Sequence, residues 1–245
     1  MDGWLLEPNQ YELLRQGTLV TLQILAYSFG LGVVLSLAFG VARLSERRWV
    51  RGVALVYVEL ARGISSIVLL FVIAVAVPIL LDVGQASLIL LGCVALGINM
   101  GGYGAEIVRG SIQAIPRGQS EAAIALNLSP TQRLRHVVLP QALRIILPPM
   151  GNLTIEILKG TSLVSLIGVT DIMQAARNIR QQQLFNATAA DVTVLFANIL
   201  VVYFVLAQVI NLAFRLGERR LARRYEGAAA ELPVAVEHAG AGIGG

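Results

Sequence analysis

One cysteine, two histidines and a single lysine in 245 residues leave little material for covalent or metal chemistry. Cys93 lies in an apolar run with no second thiol to pair with, which excludes a disulfide framework and a thiolate metal site; it reads as packing. His136 and His238 stand far apart in loop-like sequence without partners at ligand spacing, so they read as solvated loop residues rather than a metal centre. No Gly-rich Lys-Ser/Thr phosphate loop surrounds Lys159, which argues against an autonomous pump driven by ATP. Neither histidine falls in an apolar run, and no Ser/His or metal constellation supports an intramembrane enzyme. Charge is scarce too, at 14% of residues with a net +4. The basic excess gathers beside the ends of apolar runs, with no interleaved aromatic platform for stacking bases, and nucleic acid drops out as a partner.

What the chain does have is apolar length. Hydrophobic residues make up 56% of it and the mean hydropathy is +0.72, far beyond the balance of a water-soluble domain. Crossing a bilayer takes about 20 helical residues, and five such runs are expected: Thr18 to Ala42, Val53 to Leu81, Ala86 to Ile107, Gln141 to Leu166 and Val192 to Phe214. The fold class is therefore an all-α integral membrane protein with five transmembrane helices. The second run is too long for one crossing and is interrupted by Glu59-Leu60-Ala61-Arg62-Gly63, so an amphipathic lead-in is expected before a crossing from Ile64 to Leu81. Gly97 and Gly101 form a small-xxx-small pair in the third run, serving either helix packing or a hinge. Pro148, Pro149 and Gly151 predict a kink in the fourth.

Arginine sets the orientation. Arg43, Arg47, Arg48 and Arg51 follow the first run, whereas Asp82 alone carries charge between the second and third. The segment Arg109 to Arg144 and the group Arg215, Arg219, Arg220, Arg223 and Arg224 repeat the bias, which places the N-terminus outside and the C-terminus in the cytoplasm. Arg177 and Arg180, on the outer stretch Asp171 to Asp191, run mildly against it. Residues 1–17 lack the basic region of a cleaved signal peptide and form an external N-terminal segment. Residues 18–224 form the membrane domain, and residues 225–245, rich in Ala, Gly, Glu and Pro without periodicity, read as a disordered cytoplasmic tail.

The informative loop lies on the cytoplasmic side, at about 116–140. Pro116 and Gly118 make an entry turn, Glu121 is expected in the first turn of a short helix, and Asn127 ends that helix in the left-handed conformation Asn tolerates. Ser129 as N-cap with Pro130 behind it starts a second short helix, and Pro140 marks the turn into the membrane. Two short helices are not stable alone in water, so the loop packs on its own span ends or on a partner.

Glu121-Ala122-Ala123, three residues, Asn127, nine residues and Val137-Val138-Leu139-Pro140 resemble the EAA loop of ATP-binding-cassette (ABC) importer permeases, with Asn127 where that family has glycine. Ala105-Glu106-Ile107-Val108-Arg109-Gly110, Leu139-Pro140-Gln141-Ala142-Leu143-Arg144 and Leu158-Lys159-Gly160-Thr161-Ser162-Leu163-Val164-Ser165 extend the likeness over most of Thr18 to Arg224. The chain is similar to the polar amino-acid subfamily. The Ala125-Leu126-Asn127 variant and Arg62-Gly63-Ile64-Ser65, where the subfamily commonly has Arg-Gly-Thr-Pro, also resemble the ectoine/hydroxyectoine branch.

That resemblance implies a type I importer permease in a bacterial inner membrane, working with two ABC ATPase subunits, a homo- or heterodimeric permease partner and an extracytoplasmic substrate-binding protein. ATP and Mg would be used by the ATPase, with no cofactor bound by this chain. It also implies coupling residues at Gly118, Glu121, Ala122, Ala123, Ala125, Asn127, Leu139 and Pro140, and a substrate pathway near Glu59, Asn99 and Lys159. From the residues alone, Glu59, Arg62, Glu156 and Lys159 are ionisable groups in apolar runs, which face a polar pathway or form i,i+3 pairs within their helices. Such ions would equally suit a secondary transporter or channel, although no internal duplication supports one.

Overall fold

The computed structural model describes residues 6–82, 87–185 and 192–230, with side chains of the last helix described to residue 222. The described residues hold helices and their connections: α1 (Pro8–Ala42), α2 (Arg48–Gly63), α3 (Ser66–Leu80), α4 (Leu88–Gln113), α5 (Arg117–Ala125), α6 (Pro130–Arg133), α7 (Leu139–Gly160), α8 (Ile172–Phe185) and α9 (Val192–Ala230). Three of them, α1, α4 and α9, are each long and apolar enough to cross a membrane. Two bent pairs bring the spans to five: α2 with α3, at 105°, and Pro130–Ile167 with α8, at 51°.

α1 begins inside the segment read as external. Pro8 occupies its first position, where a missing N–H costs nothing, and Gln10 Oε1 accepts the Glu7 N–H at 3.3 Å. At the other end of the chain α9 runs past residue 225 to Ala230, and the remainder of the expected tail, with His238, lies outside the described residues. Cys93 is buried among Ile24, Leu70 and Leu96, as packing requires. His136 is exposed, with Nδ1 3.1 Å from the Gln132 carbonyl.

α1 and α4 form the spine. An added Cβ at Gly32 would meet Met100 at 2.7 Å, one at Gly97 would meet Leu31 at 2.8 Å, and one at Gly40 would meet the Ala105 carbonyl oxygen at 2.8 Å. The contacts advance together along both helices, so α1 and α4 run parallel, as two odd-numbered spans of an alternating topology must. Close backbone approach through small residues is the packing that works in lipid, where apolar burial drives little helix association. Gly97 and Gly101 are therefore packing residues.

The second run breaks where its charge and glycine predicted. α2 buries Ala54, Val58 and Ala61 on one face, Ile64 and Ser65 take extended backbone, and α3 departs at a steep angle.

Two prolines shape their helices in one way. Val77 N–H bonds Val72 O just before Pro78, and Leu139 N–H bonds Leu134 O just before Pro140. Each is an i to i−5 bond in a single π turn. A proline ring clashes with the carbonyl four residues back, and widening the preceding turn moves that carbonyl aside. Pro140 therefore does not turn the chain into the membrane as expected. It sits in the first turn of α7, and α6, the π turn Leu134–Val138 and α7 form one unbroken helical run, which continues through Pro148 and Pro149.

Candidate functional site

The hairpin between α4 and α7 is specified residue by residue. Pro116 caps α5 with extended backbone (φ −55°, ψ 135°). At the far end Asn127 has φ 55°; its N–H bonds Ile124 O at 2.8 Å and the Leu128 N–H bonds Ala123 O at 3.1 Å. This bond pair is a Schellman termination with asparagine at the left-handed position. Ser129 then opens α6: Ser129 Oγ accepts the Gln132 N–H at 3.4 Å and Gln132 Oε1 accepts the Ser129 N–H at 2.9 Å, a reciprocal capping box ahead of Pro130.

Glu121 does not stand in the first turn of α5, where its sequence context predicts it. Glu121 is the fifth residue of α5, and the first turn holds no acid. Because α5 starts at Arg117, directly after Pro116, the carboxylate lies one turn beyond the helix N-terminus, where the dipole has faded. Glu121 instead stands on an outward face with Ala122 and Ala125, while Gly118 is also exposed. Ala123 is the buried anchor, at 2% exposure, and Gln141 Nε2 donates to Gln119 Oε1 at 3.1 Å to tie the hairpin to α7. Leu139 and Pro140 are half-buried at its root. The hairpin is thus anchored on its own span end and still leaves Ile124 55% and Leu126 74% exposed. Two large exposed apolar side chains thus stand beside a carboxylate on one short hairpin.

The three residues expected along a pathway have separate fates. Glu59 on α2 and Lys159 near the end of α7 are exposed. Among the described residues no ion pair joins Glu59 to Arg62 or Glu156 to Lys159, so the i,i+3 pairing is not adopted. Asn99 is buried. Its Nδ2 donates to Ala61 O at 2.9 Å and its Oδ1 accepts from Ser66 Oγ at 3.2 Å. One amide thereby bridges the last turn of α2 and the first residue of α3, bracing the 105° bend. Asn99→Leu removes both bonds while keeping the branched shape and heavy-atom count, and takes the partner from the Ser66 hydroxyl; a loss of about 1–3 kcal/mol follows, read as a lowered midpoint in thermal unfolding of the purified protein. An unchanged midpoint would show that the bend holds without the brace.

A charged cleft of about 470 Å3 opens between three helices, lined by Arg62 from α2, Tyr103 and Glu106 from α4, and Pro149, Asn152 and Glu156 from α7. Glu59, Asn99 and Lys159 do not line it. Arg62 lies 5.4 Å from the Tyr103 ring centroid, and the Tyr103 hydroxyl donates to Arg62 O at 3.4 Å. Glu106 is already engaged: Arg109 donates to Oε2 at 2.7 and 2.9 Å, and Arg43 lies 3.1 Å from Oε1. That carboxylate pins the end of α1 to α4. The sequence carried a signal for half of this, the Glu106 and Arg109 spacing on a helix. Tyr103 and Asn152 gave none, because only tertiary packing brings them to Arg62.

In the N-terminal half of α1, Gly17 and Thr21 receive the connection into α8. The Ile172 N–H donates to Thr21 Oγ1 at 3.3 Å, and a Cβ at Gly17 would meet Asp171 O at 2.8 Å. Asp171, fully buried, caps α8 by accepting the Gln174 N–H at 2.9 Å. Burial pushes its carboxyl up from the usual range, and hydrogen bonds from the backbone oppose that shift. Arg177 and Arg180 lie exposed on α8.

Residues 31–223 match the family described as the binding-protein-dependent transport system inner membrane component. The probable amino-acid ABC transporter permease protein y4tF of Sinorhizobium fredii is 42% identical over 214 residues, covering 86% of this chain and 87% of that protein. The glutamine transport system permease protein GlnP of Escherichia coli is 34% identical over 214 residues, covering 85% and 93%. Among solved structures, an amino acid ABC transporter crystallised with histidines superposes with a TM-score of 0.75 at 31% identity, covering 86% of this chain and 94% of that one.

Proposed function

The chain belongs to the family of binding-protein-dependent transport system inner membrane components, and from that premise we propose that it forms the transmembrane pathway for a polar amino acid or related zwitterion handed over by an extracytoplasmic binding protein. As an amino-acid ABC transporter permease it is a transport component, not an enzyme, and ATP is hydrolysed by a separate subunit. It is a multi-pass inner-membrane protein. The alternative of a secondary transporter or channel falls with the family.

The observation that carries the reading is the hairpin. Its unbroken helical root, braced turn and exposed Glu121, Ile124 and Leu126 suit a lever seated in a groove on an ATPase. Two such ATPases would serve a pair of permeases, this chain with itself or with a related one. Closure of the ATPases around ATP would turn the hairpins, and the unbroken α6–α7 run would carry that rotation into the membrane. The N-terminus would lie outside and the C-terminus in the cytoplasm, following the arginine bias.

Capture of the ATPase subunit by wild type and by Glu121→Arg, followed by uptake in proteoliposomes, tests the seat. Reversing the charge at a docked carboxylate should lower capture at least about tenfold and stop uptake; capture and uptake both at wild-type levels would remove Glu121 from the seat. For the cargo, thermal shift of the cognate binding protein against amino acids, L-glutamine among them, and against ectoine and hydroxyectoine is the direct measurement. Stabilisation by none of them would overturn the substrate class.

A further inference from the structure

Glu106 is neutralised by Arg43 and Arg109, which leaves two charges in the cleft without an ion pair. The guanidinium of Arg62 comes from α2 and the carboxylate of Glu156 from α7. They line one space yet do not close on each other, since no Arg62–Glu156 pair lies within bonding range among the described residues. Arg62 is kept from collapsing by the Tyr103 ring beneath it and by the Tyr103 hydroxyl on its backbone carbonyl. Asn152 stands one turn before Glu156 on the same face of α7 and is exposed. Arg62 and Glu156 are exposed as well, and ionisable side chains within membrane spans ordinarily face a cavity or each other. The volume of the cleft, about 470 Å3, falls within the roughly 300–1,000 Å3 usual for small-molecule sites.

We propose that this cleft is a recognition site for the zwitterionic head of the solute, with Arg62 receiving the carboxylate and Glu156 the cationic nitrogen. The assignment rests on the permease reading above and gives it a specificity pair different from Glu59 and Lys159. Arg62 presents a planar fork suited to two parallel bonds to a carboxylate. Asn152 supplies a neutral donor and acceptor to the part of the solute between the charges. The head bridges α2 to α7 across α4, so its binding would tie the bent second span to the helical run that continues from the hairpin. A solute lacking either charge would leave Arg62 or Glu156 unsatisfied and be rejected.

The permease–ATPase complex in lipid nanodiscs, without binding protein, is titrated with L-glutamine, its α-amide, N-acetyl-L-glutamine and ectoine. Wild type should bind L-glutamine or ectoine and, for the glutamine series, disfavour the amide and the N-acetyl compound about tenfold or more. Arg62→Gln should lose the preference for carboxylate over amide and keep the preference for a free amine; Glu156→Gln should do the reverse. Thermal midpoints and ATPase capture accompany each titration. A merely structural role would weaken all ligands alike and leave the two preferences intact, which overturns the assignment, as does failure of wild type to bind any of the zwitterions. If ATPase capture by wild type fails, the permease reading itself is at fault; preferences that do not cross over while capture persists remove the cleft assignment alone.

Discussion

Gly40→Val is expected to yield little monodisperse protein, and what survives should unfold at a markedly lower temperature than wild type. The first added carbon would lie 2.8 Å from the Ala105 carbonyl oxygen and 2.7 Å from Val108 Cβ. The first of these belongs to the α4 backbone and cannot swing away, so α1 and α4 must separate, opening gaps beside Gly32 and Gly97 as well. Overpacking of this kind costs about 3 kcal/mol, the upper part of the usual range. Gly30→Val is the control on the same helix, because nothing lies within 4 Å of an added Cβ there. Size-exclusion profiles and melting curves of the two variants in one detergent decide the matter. Equal behaviour would mean that the close approach is not what glycine supplies at position 40.

Asn127→Val should leave the protein folded but uncouple it. With φ at 55°, a β-branched residue at this position costs roughly 1–2 kcal/mol, and the hairpin would relieve that by abandoning the turn that aims α6. Asn127→Gly keeps the left-handed backbone without strain and should transport like wild type. In reconstituted vesicles the valine variant is expected to retain ATP hydrolysis while uptake falls at least about tenfold. Normal uptake by the valine variant, or failure of the glycine variant, would show that the left-handed turn does not set the coupling geometry.

Features written in consecutive residues were legible without coordinates. The interruption at Glu59 to Gly63 announced the bend between α2 and α3, Asn127 announced the Schellman end, and Ser129 with Pro130 announced the cap. Each depends on local backbone preferences that a side chain imposes on its own neighbours. The effect of Pro140 is not legible in the sequence, because a proline can be absorbed by widening the turn before it instead of stopping the helix. The place of Glu121 along α5 is not legible either, because the start of α5 depends on which residue after Pro116 first closes a hydrogen bond.

Residues gathered from different helices were not legible. Asn99 resembled a pathway group by its polarity, yet its amide is consumed by Ala61 and Ser66. Arg62 and Glu156 were visible as ions in apolar runs, but their common cleft follows from how α2 and α7 lie against α4. No periodicity in either segment encodes that.

α1 is fastened in its N-terminal half, by Gly17 and Thr21 against residues 171–172, and at its C-terminal end by Arg43 on Glu106. Its 35 residues measure about 52 Å at 1.5 Å per residue. A strut of that length, locked along α4, cannot stretch or bend much, so a push at one end must appear at the other as tilt. A lean of about 5° about Arg43 would shift the Gly17 and Thr21 docking, 22 to 26 residues away, by roughly 3 Å. Any displacement at one of these fastenings would reach the other through a single stiff member, in a ratio set by where along α1 the fulcrum lies.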